Sequence, residues 1–329
     1  MVNLRFTIVY IIIDSYKMVM RTQVFIFIIF CILTSCDKGI ISFKDTSSFV
    51  RLYAEVGYDF NSRTVTENSG ESYFVKNDCV GLFVADGVNA SMWKYDGTDW
   101  KSDIKIVWEN EDDALRFCAF YPCTKENVSR DGIIMPDLSS QTGKLSDIGK
   151  KDFLIGRCVA SYNDNNGVVS FSGRNSFKHV YSLLHLKIIT QESDNDIVVT
   201  GCIFRGNGIV RNHEYIFGDN PEEDEIIASG TSESSVLKID YESPVKIKDS
   251  FDIAVLINSV ELEQPLEFSL LYNKNEESYI TKVDLLSSIS KGCYHKIKLN
   301  WINDDKLIMC GNDITDWNTS QLDDILFYD

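Results

Sequence analysis

The sequence predicts an all-β protein of the sandwich type, and three observations support this. Apolar residues alternate with polar ones in many short runs, which places one face of each run in a core and the other in water. Asn, Asp, Gly and Ser, the residues that favour turns, bound these runs. Helical periodicity is rare, and only 140–152 and 319–327 are candidates for short helices.

The clearest predicted strands follow one another along the chain. They are 49–56, 116–121, 181–189, 266–272 and 295–301. In 181–189, for example, Leu184, Leu186 and Ile188 share one face of the strand. Turn dipeptides lie between the runs, namely Asp96-Gly97, Asn166-Gly167, Asn207-Gly208 and Lys291-Gly292. This spacing is typical of antiparallel sandwiches.

Composition limits the class of protein. The chain has 329 residues, more than one ordinary domain of roughly 100–200 residues, so two domains are predicted. The polar stretch 191–196 is the predicted boundary between them. Asp and Glu number 49 against 32 Lys and Arg, giving a formal net charge of −17. Because so acidic a surface repels phosphate backbones, no nucleic-acid partner is expected.

The N-terminus predicts export. Val24–Leu33 is an uncharged apolar run that is too short for a membrane span of about 20 residues, and Lys17 and Arg21 precede it as in a signal peptide. The run ends in Leu33-Thr34-Ser35-Cys36, which resembles a bacterial lipobox. Residues 1–35 are therefore predicted to be a lipoprotein signal peptide and Cys36 the lipidated residue. A signal peptide cleaved nearby, with an incidental cysteine, is the alternative.

Of the nine cysteines, Cys31 lies in the predicted signal peptide and Cys36 is the predicted anchor; the other seven are scattered and lack the CxxC spacing of a zinc site. Most lie inside apolar stretches, so we interpret them as small buried hydrophobic residues. Cys118 and Cys123 form the one pair whose spacing suggests a bridge.

No catalytic constellation is found. The chain lacks GxSxG, HExxH and P-loop motifs, and it has only four histidines. His179 and His185 would share one face of an unbroken strand, but no third metal ligand accompanies them. Acidic clusters such as Glu111-Asp112-Asp113 are typical of solvated loops. We therefore predict neither an enzyme, nor a cofactor, nor a metal site, and a hydrolase is only the third hypothesis.

Three tryptophans support an alternative function. Trp93, Trp100 and Trp108 lie close together in the sequence, and indole rings stack on sugars. A sugar-binding surface lipoprotein is therefore the second hypothesis. The opposing interpretation is that these side chains fill the core of a sandwich.

Several short motifs, taken in order, resemble the bacterial fimbrillin family, the type V pilus subunits and their lipoprotein relatives. They are 77–83 (NDCVGLF), 89–100 (N…WKY…W), 117–122 (FCAFYP), 152–156 (DFLIG), 177–184 (FKHVYSLL), 292–294 (GCY) and 314–317 (ITDW). Asn77 stands where the family usually has glycine. The similarity extends over about 40–318, and it is carried by the order and spacing of the motifs.

The resemblance implies two tandem transthyretin-like Greek-key β-sandwich domains, which we place at 36–190 and 191–329. It implies a non-catalytic fimbrial subunit or adhesin, held in the outer membrane by its lipid and exposed at the cell surface or in a fimbrium. Its partners would be other fimbrial subunits and, for an adhesin, ligands on host or bacterial surfaces.

The resemblance also implies assembly by donor-strand exchange, in which an arginine-specific protease removes the first strand, here about 40–56. Arg63 lies in a polar loop and matches the arginine of the family's linker, whereas Arg51 lies inside the predicted strand. We therefore predict cleavage after Arg63. At the other end, Ile325-Leu326-Phe327-Tyr328 is either a short donor strand or an edge strand, so shaft, tip and anchor roles all stay open.

Overall fold

The computed structural model describes residues 48–57, 72–102, 104–190, 197–230, 235–246, 250–302 and 306–317. Several sequence predictions lie outside these residues: the signal peptide, Cys36, the part of the first strand before residue 48, Arg63, the boundary at 191–196, the helix at 319–327 and the possible strand at 325–328. Contacts divide the chain into Met1–Ser48, of which only Ser48 is described, and Phe49–Asp329.

The described residues are nearly all β, as predicted. The strands of the first half are β1 (Arg51–Ala54), β2 (Cys79–Val84), β3 (Ser91–Tyr95), β4 (Trp100–Ser102), β5 (Leu115–Tyr121), β6 (Ile133–Ile134), β7 (Leu154–Ala160), β8 (Val168–Phe171) and β9 (Lys178–His179). Those of the second half are β10 (Ser182–Thr190), β11 (Val198–Arg205), β12 (His213–Ile216), β13 (Glu225–Ala228), β14 (Val236–Lys246), β15 (Ser250–Ile257), β16 (Val260–Glu261), β17 (Glu267–Lys274), β18 (Glu277–Asp284), β19 (Ser288–Ile289), β20 (Cys293–Ile302) and β21 (Lys306–Asp316).

Two sheets from the first half of the chain enclose one core. The larger is antiparallel with the strand order β4-β3-β2-β5-β7-β9, and the smaller is the parallel pair β1-β8. Alternate residues of the larger sheet, such as Val80, Leu82 and Phe117, share a buried cluster with Leu52 of β1 and Phe171 of β8. The two sheets therefore bury their facing sides against each other.

Two four-stranded sheets from the second half form a similar pair. Their strand orders are β15-β10-β20-β21 and β14-β11-β17-β18. The alternation predicted for 181–189 is confirmed, because Leu184, Leu186 and Ile188 are fully buried. Phe268 and Leu270 of β17 share their cluster.

One core cluster runs through both halves of the described chain. Phe153 packs on Tyr215 and Phe83 on Phe217, with ring centroids 5.7 and 6.0 Å apart. The small sheet β13-β12-β6 also joins the two halves through the backbone. In addition, β10 lies before the predicted boundary but pairs with β15 and β20. The division into 36–190 and 191–329 stays a prediction.

Helices are few and short in the described residues. The candidate at 140–152 contains a single 3-10 helix, Leu145–Lys150. Two further 3-10 turns are Gly173–Asn175 and Pro221–Glu223. No described helix has the length and hydropathy needed to span a membrane.

A one-turn α-helix, Tyr162–Asn165, precedes the turn dipeptide Asn166-Gly167. The Ser161 hydroxyl caps this helix by accepting a hydrogen bond from the Asp164 N–H at 3.2 Å. Asn166 closes it in the left-handed region at φ 52°, as residues after a helix C-terminus often do. The turn therefore connects β7 and β8, which belong to different sheets.

Candidate functional site

The first described strand is held by main-chain hydrogen bonds. Arg51 N–H donates to the Gly167 carbonyl and Glu55 N–H to the Phe171 carbonyl, both at 2.9 Å. Phe177 N–H donates back to the Glu55 carbonyl at 2.9 Å. The residues from Arg51 to Glu55 are thus attached to β8 and to the chain just after it.

Side chains of this segment alternate between core and solvent, as predicted for 49–56. Val50, Leu52 and Val56 are buried, whereas Tyr53 is 49% exposed and Arg51 is exposed. The buried residues join the cluster that contains Phe171 and other aromatic side chains. The segment therefore fills an apolar groove with every second residue.

The burial in this groove is large in energetic terms. Burying a Val or Leu side chain stabilises a fold by about 1.5–3 kcal/mol, so Val50, Leu52 and Val56 together contribute roughly 5–9 kcal/mol. The net stability of a whole domain is only about 5–15 kcal/mol. A groove emptied of this strand would therefore need a replacement.

Pairing of the first strand is one-sided over most of its length. In the described residues β1 has β8 as its only ladder partner, so it is an edge strand. On its other side, Val50 N–H donates to the Ile106 carbonyl at 2.9 Å and Phe49 bridges to Val107. By contrast, β10 begins the second pair of sheets but is held between β15 and β20. Of the two strands, β1 has fewer bonds to break on removal.

The two arginines of the predicted processing region differ in setting. Arg51 belongs to the β1–β8 ladder, and its guanidinium donates to the Asn166 carbonyl. A protease must bind an extended and unpaired backbone, so this ladder protects the bond after Arg51. Arg63 lies outside the described residues, and cleavage there stays a prediction.

The three tryptophans line the same core as the first strand. Trp93, Trp100 and Trp108 are only 5%, 8% and 3% exposed. Trp93 Nε1 donates to the Ser91 hydroxyl at 2.9 Å, and the ring of Trp100 meets that of Phe74 edge-on at 5.0 Å. Protein side chains cover these rings, so they give no support to the sugar-binding alternative.

The histidines predicted to share a strand face are separated by a break between β9 and β10. His179 Nδ1 lies 2.6 Å from an Asp152 carboxylate oxygen, and His185 Nδ1 lies 2.7 Å from the Tyr294 hydroxyl. The described residues contain no group of three His, Cys, Asp or Glu side chains that could hold a metal ion.

A surface pocket of about 250 Å³ lies beside the 3-10 helix Leu145–Lys150. Its single carboxylate, Asp147, is 2.6 Å from Lys150 Nζ, which holds the pKa of that carboxyl below its ordinary value. A lone carboxylate of low pKa does not supply the acid and base pair that glycoside hydrolysis requires.

The acidic loop at 219–225 has a role that sequence reasoning missed. The side chain of Asp224 is only 6% exposed, and its carboxylate accepts hydrogen bonds from the guanidinium of Arg157, the hydroxyl of Tyr215 and the N–H of Gly218. Burial and the bond to Asp224 raise the pKa of Tyr215. Because Arg157 is far away in sequence, no local signal identifies this interaction.

Comparisons with known proteins agree with this fold. The fimbrillin-like family profile matches residues 62–317. Among curated proteins, no sequence matches this one. A structure from Bacteroides uniformis, provisionally assigned to cell adhesion, aligns with a TM-score of 0.58 and 13% identity over 83% of this chain and 98% of that chain. A structure from Bacteroides ovatus with the same provisional assignment aligns with a TM-score of 0.56 and 14% identity over 82% of this chain and 98% of that chain.

A third structure, the tip fimbrial protein Mfa3 from Porphyromonas gingivalis with a C-terminal truncation, aligns less well. It has a TM-score of 0.44 and 10% identity, over 82% of this chain and 100% of that chain. The family assignment depends instead on the profile, which spans most of the sequence. This chain belongs to the fimbrillin-like family, and as a member of that family it is a structural, non-catalytic protein of the cell surface or fimbrium.

Proposed function

We propose that this chain is an outer-membrane lipoprotein that assembles with other fimbrial subunits by donor-strand exchange. In this proposal the segment ending near Val56 is removed by proteolysis, and a strand from a neighbouring subunit takes its place. As an adhesin, the assembled protein would also contact ligands on host or bacterial surfaces.

The observation that carries this proposal is the one-sided, alternating fit of 49–56 in its groove. A strand added to a sheet edge gains affinity from main-chain hydrogen bonds and specificity from alternate side-chain pockets. Val50, Leu52 and Val56 occupy such positions, and β8 supplies the carbonyl and N–H groups. An incoming strand with the same alternation would recover both kinds of interaction.

Cleavage after Arg63 would release the first strand without cutting inside the ladder. The alternative bond, after Arg51, is protected by pairing with β8. Lipidation of Cys36 would place the anchor on the removed segment. The same cut would then detach the assembling part of the chain from its membrane tether.

Two sandwich domains, which the sequence pattern divides at 191–196, are part of this proposal. The pairing of β10 with β15 and β20 favours a boundary ahead of β10, at residues 180–181, over one in the stretch 191–196. A strand exchanged in the first domain would leave the second domain's sheets intact.

The test is limited digestion of the purified full chain with an arginine-specific protease. We expect one early cut after Arg63 and, after it, a ladder of oligomers on an unheated denaturing gel. Arg63→Gln should prevent both the cut and the ladder, whereas the matched variant Arg51→Gln should leave both unchanged. A complete cut after Arg63 that yields only monomers would contradict assembly by strand exchange.

The lipid anchor has a separate test. Expressed in a bacterium that processes lipoproteins, the full chain should fractionate with outer membranes and incorporate radiolabelled palmitate. Cys36→Ser should abolish both, while Cys31→Ser, a change inside the predicted signal peptide, should preserve them. Palmitate incorporation into the Cys36→Ser protein would contradict lipidation at this residue.

A further inference from the structure

Two cysteines that are far apart in sequence lie on adjacent segments of the six-stranded sheet. Cys79 begins β2, and Cys123 follows the end of β5, the neighbour of β2. Cys123 N–H donates to the Cys79 carbonyl at 2.8 Å. This bond holds the two main chains side by side, at about the 4.7–4.9 Å spacing of neighbouring strands, and a disulfide needs α-carbons about 4.4–6.8 Å apart.

Their side chains also point to the same face of the sheet. Cys79 and Cys123 both pack with Phe83 and Phe120 in the larger core cluster, whereas the alternate residues of β2 and β5 pack in the other cluster. The Cys123 thiol donates to the Thr124 carbonyl at 3.8 Å, and the interaction between the two cysteines lowers the pKa of Cys79 and raises that of Cys123. Cys79 is half-buried and Cys123 is buried, so Cys79 is the more accessible thiol.

The neighbouring cysteines do not compete for this partner. Cys118, which sequence spacing suggested as the partner of Cys123, lies inside β5, whereas Cys123 lies beyond its end. The thiol of Cys118 sits instead 3.5 Å from an Arg157 guanidinium nitrogen and 3.9 Å from one of Arg130. Cys158 packs in the opposite cluster, across the sheet from Cys79 and Cys123.

We propose that Cys79 and Cys123 form a disulfide bond once the chain has been exported. The oxidant is a protein disulfide of the thiol–disulfide oxidoreductase class, because such disulfide donors act outside the cytoplasm. The Cys79 thiolate attacks one sulfur of that disulfide, forms a mixed disulfide and releases the first thiol. The Cys123 thiolate then attacks the Cys79 sulfur and releases the second. The chain loses two protons and two electrons, and the donor disulfide becomes a dithiol.

The bond would join β2 to the end of β5 and enclose the hairpin of β3 and β4. It would hold the larger sheet in place on one side of the core that the first strand fills. The inference depends on exposure at the cell surface and not on strand exchange.

The test uses the folded full chain and oxidised glutathione as the probe. Free thiols are alkylated after oxidation, and tryptic peptides are mapped without reduction. We expect peptide 77–94 to be linked to peptide 117–125. The mass of the linked product should equal the summed masses of the two peptides minus two hydrogen atoms. Because peptide 117–125 also contains Cys118, the same map of Cys118→Ser assigns the bond to Cys123. That variant should keep the linked peptide, and Cys123→Ser should lose it.

A second readout is the thermal unfolding midpoint. Oxidation should raise the midpoint of the wild-type chain and of Cys118→Ser by several degrees, and reduction should reverse the rise. Cys79→Ala should show no such shift. Alkylation of both Cys79 and Cys123 in the folded, oxidised wild type, or glutathione retained on Cys79, would overturn the proposal without depending on any variant.

Discussion

Substitution of Leu52 tests, at a single residue, whether the first strand fills the apolar groove. Its side chain is buried in the core beneath the first strand, whereas its neighbour Tyr53 points to solvent. We expect Leu52→Ala to lower the free energy of unfolding by about 2–4 kcal/mol, because it removes buried methyl groups and leaves a cavity. Tyr53→Ala should lower it by less than about 1 kcal/mol. Urea unfolding measures both, and equal losses would contradict the inward alternation of this strand.

His295 makes stability depend on pH. It is 2% exposed, neither ring nitrogen has a hydrogen-bond partner in the described residues, and burial lowers its pKa below the ordinary 6.5. The unfolded chain therefore binds a proton more readily, so stability should fall as the pH decreases below about 6.5. Burial lowers the pKa of His213 too, and this adds to the effect.

Urea unfolding at several pH values between about 5 and 7 measures this dependence. His295→Phe should reduce the slope and leave the part due to His213. Carboxyls with lowered pKa, such as those of Asp147 and Glu267, contribute only in more acidic solution. An unchanged slope in His295→Phe would show that the folded chain protonates this ring normally.

At the level of elements, sequence pattern predicts the strands that bury one face. The alternation in 181–189, 266–272 and 295–301 marks strands β10, β17 and β20 because their inner residues pack in the core. The edge strands β18 and β21 lack this signal. Most residues of β18 and β21 are exposed, and only their pairing with β17 and β20 makes them strands.

The candidate site was only partly predictable for the same reason. Alternation in 49–56 indicates a strand, but nothing local to β8, a four-residue strand, identifies it as the partner. Indole rings suit a sugar site and a core equally well, so only the burial of Trp93 and Trp108 distinguishes the two interpretations. The sequence pattern carries no information about contacts between residues that are distant in sequence.

The pairing of the first strand predicts a difference in hydrogen exchange between two strands. The amides of Arg51 and Glu55 belong to an edge strand, while the amides of β10 lie between two neighbours. We expect the first pair to exchange faster, because opening β1 breaks fewer bonds. Exchange of the full chain in deuterated buffer, read by mass spectrometry, makes the comparison. Equal protection would argue against a detachable first strand.

At the scale of the molecule, Asp224 links the second half of the chain to the larger sheet of the first. Its carboxylate is 6% exposed and pairs with Arg157 of β7. Asp224→Asn should lower the free energy of unfolding by about 2–4 kcal/mol, because it leaves the guanidinium of Arg157 without its charged partner. Asp219→Asn is the matched control in the same loop, because Asp219 is 73% exposed. A small effect at Asp224 would mean that the loop contributes little to this junction.

The central claim is that the groove under the first strand accepts another strand once its own has gone. The direct measurement uses a fluorescent peptide with the sequence of 49–56 and the chain after cleavage by an arginine-specific protease. Fluorescence anisotropy reports binding of the peptide to the cut chain. The account predicts saturable binding to the cut chain, little binding to the uncut chain, and loss of binding when the peptide residue matching Leu52 is Asp. The claim would be contradicted if the cut chain loses its first strand and stays folded but does not bind the peptide.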